Sequence, residues 1–261
     1  MQDKLFSVED QVVLVAGASR GIGRALAEGF AERDAQVIIA GRESGTIAQT
    51  ASEISKGRHA VAAEVCDVSQ PEDVERLVAG VAKKFGRIDT LVSVAGVNKR
   101  MKAEDYKLDE YDWIVDINLR GAFMVAQAAG RHMIARKRGA IINIDSLNTY
   151  APLRGVTPYA ISKAGVLMMT RALANEWGRH GVRVNSIAPG FFPTALSQKM
   201  WQQEKMQDWA KANTPMGRLG DVKELVGAAI YLASPASGFV TGQTLRVDGG
   251  VTAGINWPIE L

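Results

Sequence analysis

Tyr159 and Lys163 stand four residues apart in the segment Tyr159-Ala160-Ile161-Ser162-Lys163. On a helix that spacing puts both side chains on one face. A free tyrosine has a pKa of about 10 and is a poor base near neutrality. An ammonium a few ångströms away favours the phenolate and lowers that value. The pair is therefore a candidate proton donor and acceptor. Ser146 lies thirteen residues before the tyrosine, just after an apolar run of strand length.

A second constellation lies near the start. The apolar run Gln11 to Ala16 leads into Gly17-Ala18-Ser19-Arg20-Gly21-Ile22-Gly23, and a segment of helical period follows. Glycines at a strand-to-helix turn let backbone approach a pyrophosphate closely. The helix behind them offers free N–H groups and the positive end of its dipole. The second strand decides which dinucleotide is held. An NAD site usually places Asp or Glu at its end to grip the ribose 2′-hydroxyl. Here the strand ends Ala40-Gly41-Arg42, and Glu43 comes one residue later. Arg42 can pair with a 2′-phosphate and Arg20 can reach the same group, which is strong, geometrically specific recognition. NADP is expected, and NAD less so.

These residues need a scaffold, and the chain supplies alternating strand and helix patterns. Strands are expected at Gln11–Ala16, Ala35–Ala40, His59–Glu64, Thr90–Val94, Ala140–Ile144, Arg183–Ala188 and Thr244–Val247. Helices are expected at Gly21–Glu32, Gly45–Ser55, Pro71–Phe85, Tyr111–Lys137, Tyr159–His180 and from an Asp221 N-cap through Leu232. Near-continuous apolar strands without a period of two imply that both sheet faces are covered. The expected product is α/β: a single doubly wound Rossmann domain over residues 1–261, with a seven-stranded parallel sheet in a three-layer α/β/α sandwich. A (β/α)8 barrel needs eight strands, one more than the pattern provides.

With motifs in this order, the chain resembles the short-chain dehydrogenase/reductase superfamily over essentially its whole length. The glycine loop resembles Thr-Gly-x-x-x-Gly-x-Gly with Ala16 in place of Thr. Asp67, followed by Val68, resembles the acid that contacts the adenine in that family. Ser93-Val94-Ala95-Gly96 resembles Asn-Asn-Ala-Gly with both asparagines replaced, and Asp248-Gly249-Gly250 resembles the C-terminal signature. Asn118, Ser146, Tyr159 and Lys163 match the catalytic tetrad. Pro189-Gly190-Phe191-Phe192-Pro193-Thr194 resembles the segment whose threonine meets the nicotinamide carboxamide. The resemblance implies alcohol–ketone interconversion. Tyr159 carries the proton and Lys163 lowers its pKa while holding the nicotinamide ribose. Ser146 stabilises the substrate oxygen, and Asn118 holds a water linking Lys163 to solvent. The departures at Ala16, Ser93 and Val94 imply a stability or affinity cost, not lost chemistry.

The substrate is less legible. Candidate contacts are Asn98, Arg100, Asn148, Arg154, Phe191 and Trp201, with a lid at about residues 194–213. Lys99, Arg100 and Arg154 at a pocket entrance would suit an anionic, hydroxyl-rich substrate. Several stretches resemble the gluconate 5-dehydrogenase and 2-deoxygluconate 3-dehydrogenase branch, among them Ala95-Gly96-Val97-Asn98-Lys99-Arg100 and Leu173-Ala174-Asn175-Glu176-Trp177. A sugar, sugar acid or polyol is expected. The rivals are a 3-oxoacyl thioester (acyl carrier protein) reductase and a dinucleotide sensor without turnover.

Bulk properties exclude other classes. The 261 residues are 47% hydrophobic and 23% charged with a net charge of +3, and the cations are scattered. A nucleic-acid footprint needs clustering, so none is expected. The lone Cys66 rules out an internal disulfide, and charged Asp3, Lys4, Glu9 and Asp10 argue against a secretory leader. A cytoplasmic setting without membrane contact follows as an expectation. His59, His132 and His180 are far apart, so no metal site is expected. The helices from Tyr111 and Tyr159 are rich in small and apolar residues (Ala126, Ala128, Ala129, Leu167, Met168, Met169), which suggests helix pairing between subunits. The family resemblance implies a homotetramer. The tail from Val251 to Leu261, with Trp257 and Pro258, is expected either to cover a neighbour's site or to be a loose terminus.

Overall fold

The apolar runs form strands because both of their faces are covered. In β1 (Val12–Ala16) all five residues are buried. Val13 and Val15 enter one core cluster, with Leu26, Phe30 and Ile230. Val12, Leu14 and Ala16 enter another, with Val78, Val125 and Met133. Alternate side chains serving opposite apolar layers explain why the sequence shows no period of two.

The computed structural model describes residues 4–255 apart from 56, 58, 195 and 196. After β1 come α1 (Gly21–Ala31), β2 (Gln36–Gly41), α2 (Ser44–Ile54), β3 (Ala62–Val65), α3 (Pro71–Phe85), β4 (Thr90–Ser93), α4 (Leu108–Val115) and α5 (Gly121–Ala135). Then follow β5 (Gly139–Ile144), α6 (Thr157–Trp177), β6 (Val182–Pro189), α7 (Gln198–Trp201), α8 (Glu204–Asn213), α9 (Val226–Ala233) and β7 (Thr244–Val247). The strands make one parallel sheet in the order β3-β2-β1-β4-β5-β6-β7. Val13 pairs in register with Val37 on one side and Thr90 on the other. Helices α1, α2 and α9 cover one face; α3, α5 and the later part of α6 cover the other. This is the doubly wound α/β/α sandwich that the sequence predicts. The strand order reverses between β1 and β4, so a crevice opens at their carboxyl ends.

Local signals set the helix ends. Pro71 starts α3, Glu72 and Asp73 sit in its first turn, Lys83 and Lys84 in its last, and Gly86 closes it at φ 75°. Each choice matches what a helix terminus favours. Asp221 caps as expected: its carboxylate accepts the Lys223 N–H at 2.9 Å. Glu224 returns the favour to the Asp221 N–H at 2.8 Å. The first turn there is 3-10, over Val222–Leu225, before α9 begins.

Two expectations change. The long helix from Tyr111 is two helices joined by a π turn at Asp116–Arg120. The third strand begins at Ala62, not His59, because the Val61 N–H donates to the Ser55 hydroxyl at 3.0 Å and keeps the preceding segment at the end of α2. The expected tail residues Trp257 and Pro258 lie outside the described residues, as do Ala195 and Leu196 of the expected lid. No helix among the described residues is long and apolar enough to cross a membrane.

Candidate active site

The loop after β1 and the loop after β4 meet at the crevice. The Ala16 carbonyl accepts both the Val94 N–H (2.9 Å) and the Ala95 N–H (3.0 Å). Gly17 has φ 93°, and a Cβ there would stand 2.5 Å from the Ala95 nitrogen. Only glycine fits that approach. A Cβ on Gly23 would lie 2.1 Å from the Gly17 carbonyl, so the first turn of α1 packs directly on its own loop.

One cleft runs along this edge. The candidate cofactor residues Gly17, Ser19, Arg20, Gly21, Ile22 and Gly23 border it, as do Arg42 after β2 and Asp67 and Val68 after β3. So do Ala95 and Gly96 after β4, Tyr159 and Lys163 of α6, and Pro189, Gly190, Phe192 and Thr194 at and beyond the end of β6. A dinucleotide fits these residues. The backbone approach at Gly17 leaves no side chain in its path, and the first N–H groups of α1 face the cleft. Arg20 and Arg42 are exposed, and among the described residues neither guanidinium has a protein partner. A smaller recess is formed by Arg42, Glu43, Ser44, Gly45 and Thr46 at the start of α2. Asp67 is partly engaged: its Oδ1 accepts the Ser69 N–H at 2.9 Å and the Ser69 hydroxyl at 2.8 Å. Cys66 borders the cleft too, but burial pushes its thiol up to about 12, so thiolate chemistry is excluded near neutrality.

At the middle of the cleft, Ser146 Oγ accepts two hydrogen bonds from Asn148, one from its N–H (3.1 Å) and one from its Nδ2 (3.2 Å). Its own O–H proton is left to point elsewhere, and the Tyr159 phenol is beside it. Burial raises the Tyr159 phenol above its ordinary value. The hydrogen bond with Ser146 pulls it down, the Asp145 carboxyl raises it again, and the Arg100 guanidinium lowers it. Lys163 is 4% exposed, and its Nζ donates to the Ile144 carbonyl at 2.7 Å. Burial depresses this lysine to about 8, against an upward pull from Asp145. Lys163 thus differs from the expectation that it governs the phenol directly. Its ammonium is tethered to the strand, 5.7 Å from the centre of the Tyr159 ring.

Asn118 lies in the π turn and does not border the cleft. Its amide is fully committed to structure: Oδ1 accepts the Val97 N–H at 2.7 Å, while Nδ2 donates to the Val97 carbonyl (2.9 Å) and the Ser162 hydroxyl (3.1 Å). The side chain therefore ties α5's approach to the loop after β4.

Among the candidate substrate residues, Asn98, Arg100, Asn148, Phe191 and Trp201 border the cleft and Arg154 does not. The Leu153 N–H is held by the Asn148 side-chain carbonyl at 2.9 Å, which turns Leu153 inward and leaves Arg154 exposed. Lys99 also leaves the entrance, paired with Glu110 of α4. Over the cleft, α7 and α8 form a small core of their own. Phe191 meets Trp201 (centroids 5.5 Å) and Trp209 (5.4 Å). Sequence reasoning missed Asp145, Thr46 and Ser197, which all border the cleft. Asp145 gave no signal of its own, because an acid next to a serine after a strand is common and only burial distinguishes it.

The fold and cleft define a Rossmann-type protein whose sheet edge brings a serine, a tyrosine and a lysine to a dinucleotide-sized crevice. A family model described as enoyl-(acyl carrier protein) reductase matches residues 17–252, and the chain belongs to the short-chain dehydrogenase/reductase family. It is 39% identical to gluconate 5-dehydrogenase of Gluconobacter oxydans, over 96% of this chain and 98% of that protein. It is 37% identical to 5-keto-D-gluconate 5-reductase of Escherichia coli, over 96% of this chain and 99% of that protein. The crystal structure of a gluconate 5-dehydrogenase from Burkholderia cenocepacia in complex with NADP and tartrate superposes with a TM-score of 0.93 at 39% identity, covering 97% of this chain and 99% of that one.

Proposed function

We propose that this chain is an NADP(H)-dependent oxidoreductase that interconverts a secondary alcohol and a ketone on a sugar, sugar acid or polyol. The observation that carries the reading is the meeting of Ser146, Tyr159 and Lys163 at the cleft that the glycine loop also borders. The nicotinamide, when bound, supplies or takes the hydride at the reacting carbon. Tyr159 gives a proton to the substrate oxygen in reduction and takes it in oxidation. Ser146, with both Asn148 donors on its Oγ, turns its own O–H toward that oxygen. Lys163 keeps two further N–H donors after bonding Ile144, which suit the ribose hydroxyls. Arg20 and Arg42 would hold the 2′-phosphate, and the NADP complex of the Burkholderia relative supports this cofactor over NAD.

A polyhydroxylated substrate is favoured by two residues that border the cleft and each carry a buried polar atom, the Asn98 Oδ1 acceptor and the Trp201 Nε1 donor. Neither has a hydrogen-bond partner among the described residues. Hydroxyls satisfy both; an acyl chain satisfies neither. Arg100 at the rim suits a carboxylate, as in gluconate. The segment 194–213, carrying α7 and α8, is the lid of this reading. The lone buried Cys66 supports a cytoplasmic setting. We also infer a homotetramer, supported by apolar side chains left exposed on the outer helices.

The test is the absorbance of NADPH and NADH at about 340 nm, run in both directions. Substrates are sugar acids, polyols, free sugars and a β-ketoacyl thioester. Turnover of a sugar acid or polyol with NADP is expected. In Tyr159→Phe it should fall by about a hundredfold or more, the usual size of a lost acid–base group. Activity confined to the thioester overturns the substrate class. Tight cofactor binding with no turnover at all supports a sensor instead.

A further inference from the structure

Asp145 follows β5, immediately before Ser146, and is 1% exposed. Its Oδ1 accepts the Thr149 hydroxyl at 2.6 Å. Its Oδ2 is buried and has no hydrogen-bond partner among the described residues. A carboxylate held this way is costly to the fold unless an opposite charge answers it. Lys163 supplies that charge from α6. It is buried as well, and its Nζ is anchored to the carbonyl of Ile144, the residue before Asp145. The last residue of β5 thus fixes the ammonium and the residue after the strand carries the carboxylate.

We propose that Asp145 is a positioning residue of the catalytic cluster: a buried counter-charge that holds Lys163 in its ammonium form beside Tyr159. This rests on the function proposed above. The groups that act on Asp145 come from two elements. Thr149 and the Ser146 amide belong to the segment after β5, and Lys163 belongs to α6. Tyr159 of α6 feels Asp145 in turn, and Arg100 from the segment after β4 acts on the same phenol with opposite sign. Burial lifts the Asp145 carboxyl to about 6 while it depresses Lys163 to about 8. Between those values both are charged, and that window spans neutrality. Below it the carboxyl takes a proton and the lysine loses its partner. Above it the lysine loses its own proton.

Without the carboxylate, only the Ile144 carbonyl still favours the ammonium against the desolvation of Lys163, so the lysine deprotonates at lower pH. The Tyr159 phenol loses a neighbour that raises it, so the tyrosine too ionises at lower pH. In alcohol oxidation the basic limb reports the lysine, which stands near 8, while burial keeps the phenol above its ordinary value and outside that region. The basic limb therefore moves to lower pH.

The experiment compares the full chain with Asp145→Asn, Asp145→Glu and Tyr159→Phe, measuring kcat/KM for alcohol oxidation with NADP from about pH 5 to about pH 10. The Asn variant should show the basic limb displaced by about one pH unit toward acid, with the substrate KM little changed. The Glu variant should return it part of the way. Independently of turnover, the infrared band of a protonated buried carboxyl should titrate away near pH 6 in the ligand-free native protein and be missing from the Asn variant. A basic limb that stays in place while the rate drops would make Asp145 a structural residue only. A native protein without the titrating band overturns the proposal even if the Asn variant does not fold. Should Tyr159→Phe remain as active as the native chain, the proposed function fails instead, and the two failures are told apart.

Discussion

Arg42 stands where a dinucleotide enzyme selects its cofactor, and among the described residues its guanidinium has no protein partner. β2 ends at Gly41, and the next acid, Glu43, stands at the N-cap position of α2 with its side chain exposed and making no cap bond. A guanidinium on a phosphate is a charge-assisted bond of roughly 1.5–3 kcal/mol. Arg42→Ala should therefore raise the Kd for NADP by about tenfold to a hundredfold and leave that for NAD nearly unchanged. Fluorescence titration of the nicotinamide reads both. Equal losses for the two cofactors would mean that Arg42 contributes to folding and not to phosphate recognition. At this scale the sequence was legible wherever function depends on local spacing. Four residues on a helix join Tyr159 to Lys163, and the glycine loop follows a strand. It was silent where function depends on what folds over a residue. Arg154 looked like an entrance cation, yet the bond from the Leu153 N–H to Asn148 turns it away. Lys99 is drawn off by Glu110, whose carboxylate also accepts the Lys107 N–H at the start of α4. Asp145 had no pattern at all, because its meaning lies in burial against Lys163.

Among the elements, the strands and most helices were readable because both sheet faces impose apolar runs and 3.6-residue stripes. The π turn at Asp116–Arg120 was not. The apolar stripe continues across it, so the pattern of one long helix survives the extra residue. That turn is also where Asn118 reaches Val97, in keeping with the placement of such bulges at functional sites. The four residues of α7 are too few to display a period. The junction of β1 and α1 gives a sharper test. A Cβ on Gly23 would stand 2.1 Å from the Gly17 carbonyl and 2.9 Å from the Ala18 Cα, all backbone. Gly80, exposed on α3, has nothing within 4 Å of the same point. Gly80→Ala should stabilise the protein by about 0.5–1 kcal/mol, the helix propensity gain. Gly23→Ala should cost about 2 kcal/mol or more through overpacking and lose cofactor affinity with it. Urea midpoints and NADP titrations measure both. A Gly23→Ala protein as stable as the native one would show that the loop can withdraw from the helix.

For the whole molecule, the small and apolar residues that suggested subunit contact divide between the core and the surface. Ala126, Ala128 and Ala129 are buried in the core beneath α5, where their size lets the helix lie close to the sheet, and Met169 packs against the same layer. The surplus apolar surface is carried by Met168 of that set and by three other large side chains. Trp113 of α4, Phe123 of α5 and Ile161 and Met168 of α6 are 40–57% exposed. Ile161 and Met168 are seven residues apart and share one face of α6. Apolar surface kept in water there forfeits about 25 cal/mol per Å², so a second copy covering it gains what the monomer does not. The native chain should elute in gel filtration at about four times its 28.1 kDa mass. Phe123→Glu with Met168→Glu would bury two unpaired charges in such a contact, a penalty of several kcal/mol. That variant should run as a smaller species while keeping its fold by circular dichroism. A native protein eluting as a monomer would leave these side chains as exposed surface without a partner. A doubly charged variant that stays tetrameric would move the contact to another face, such as the one bearing the fully exposed Phe239 beside β7.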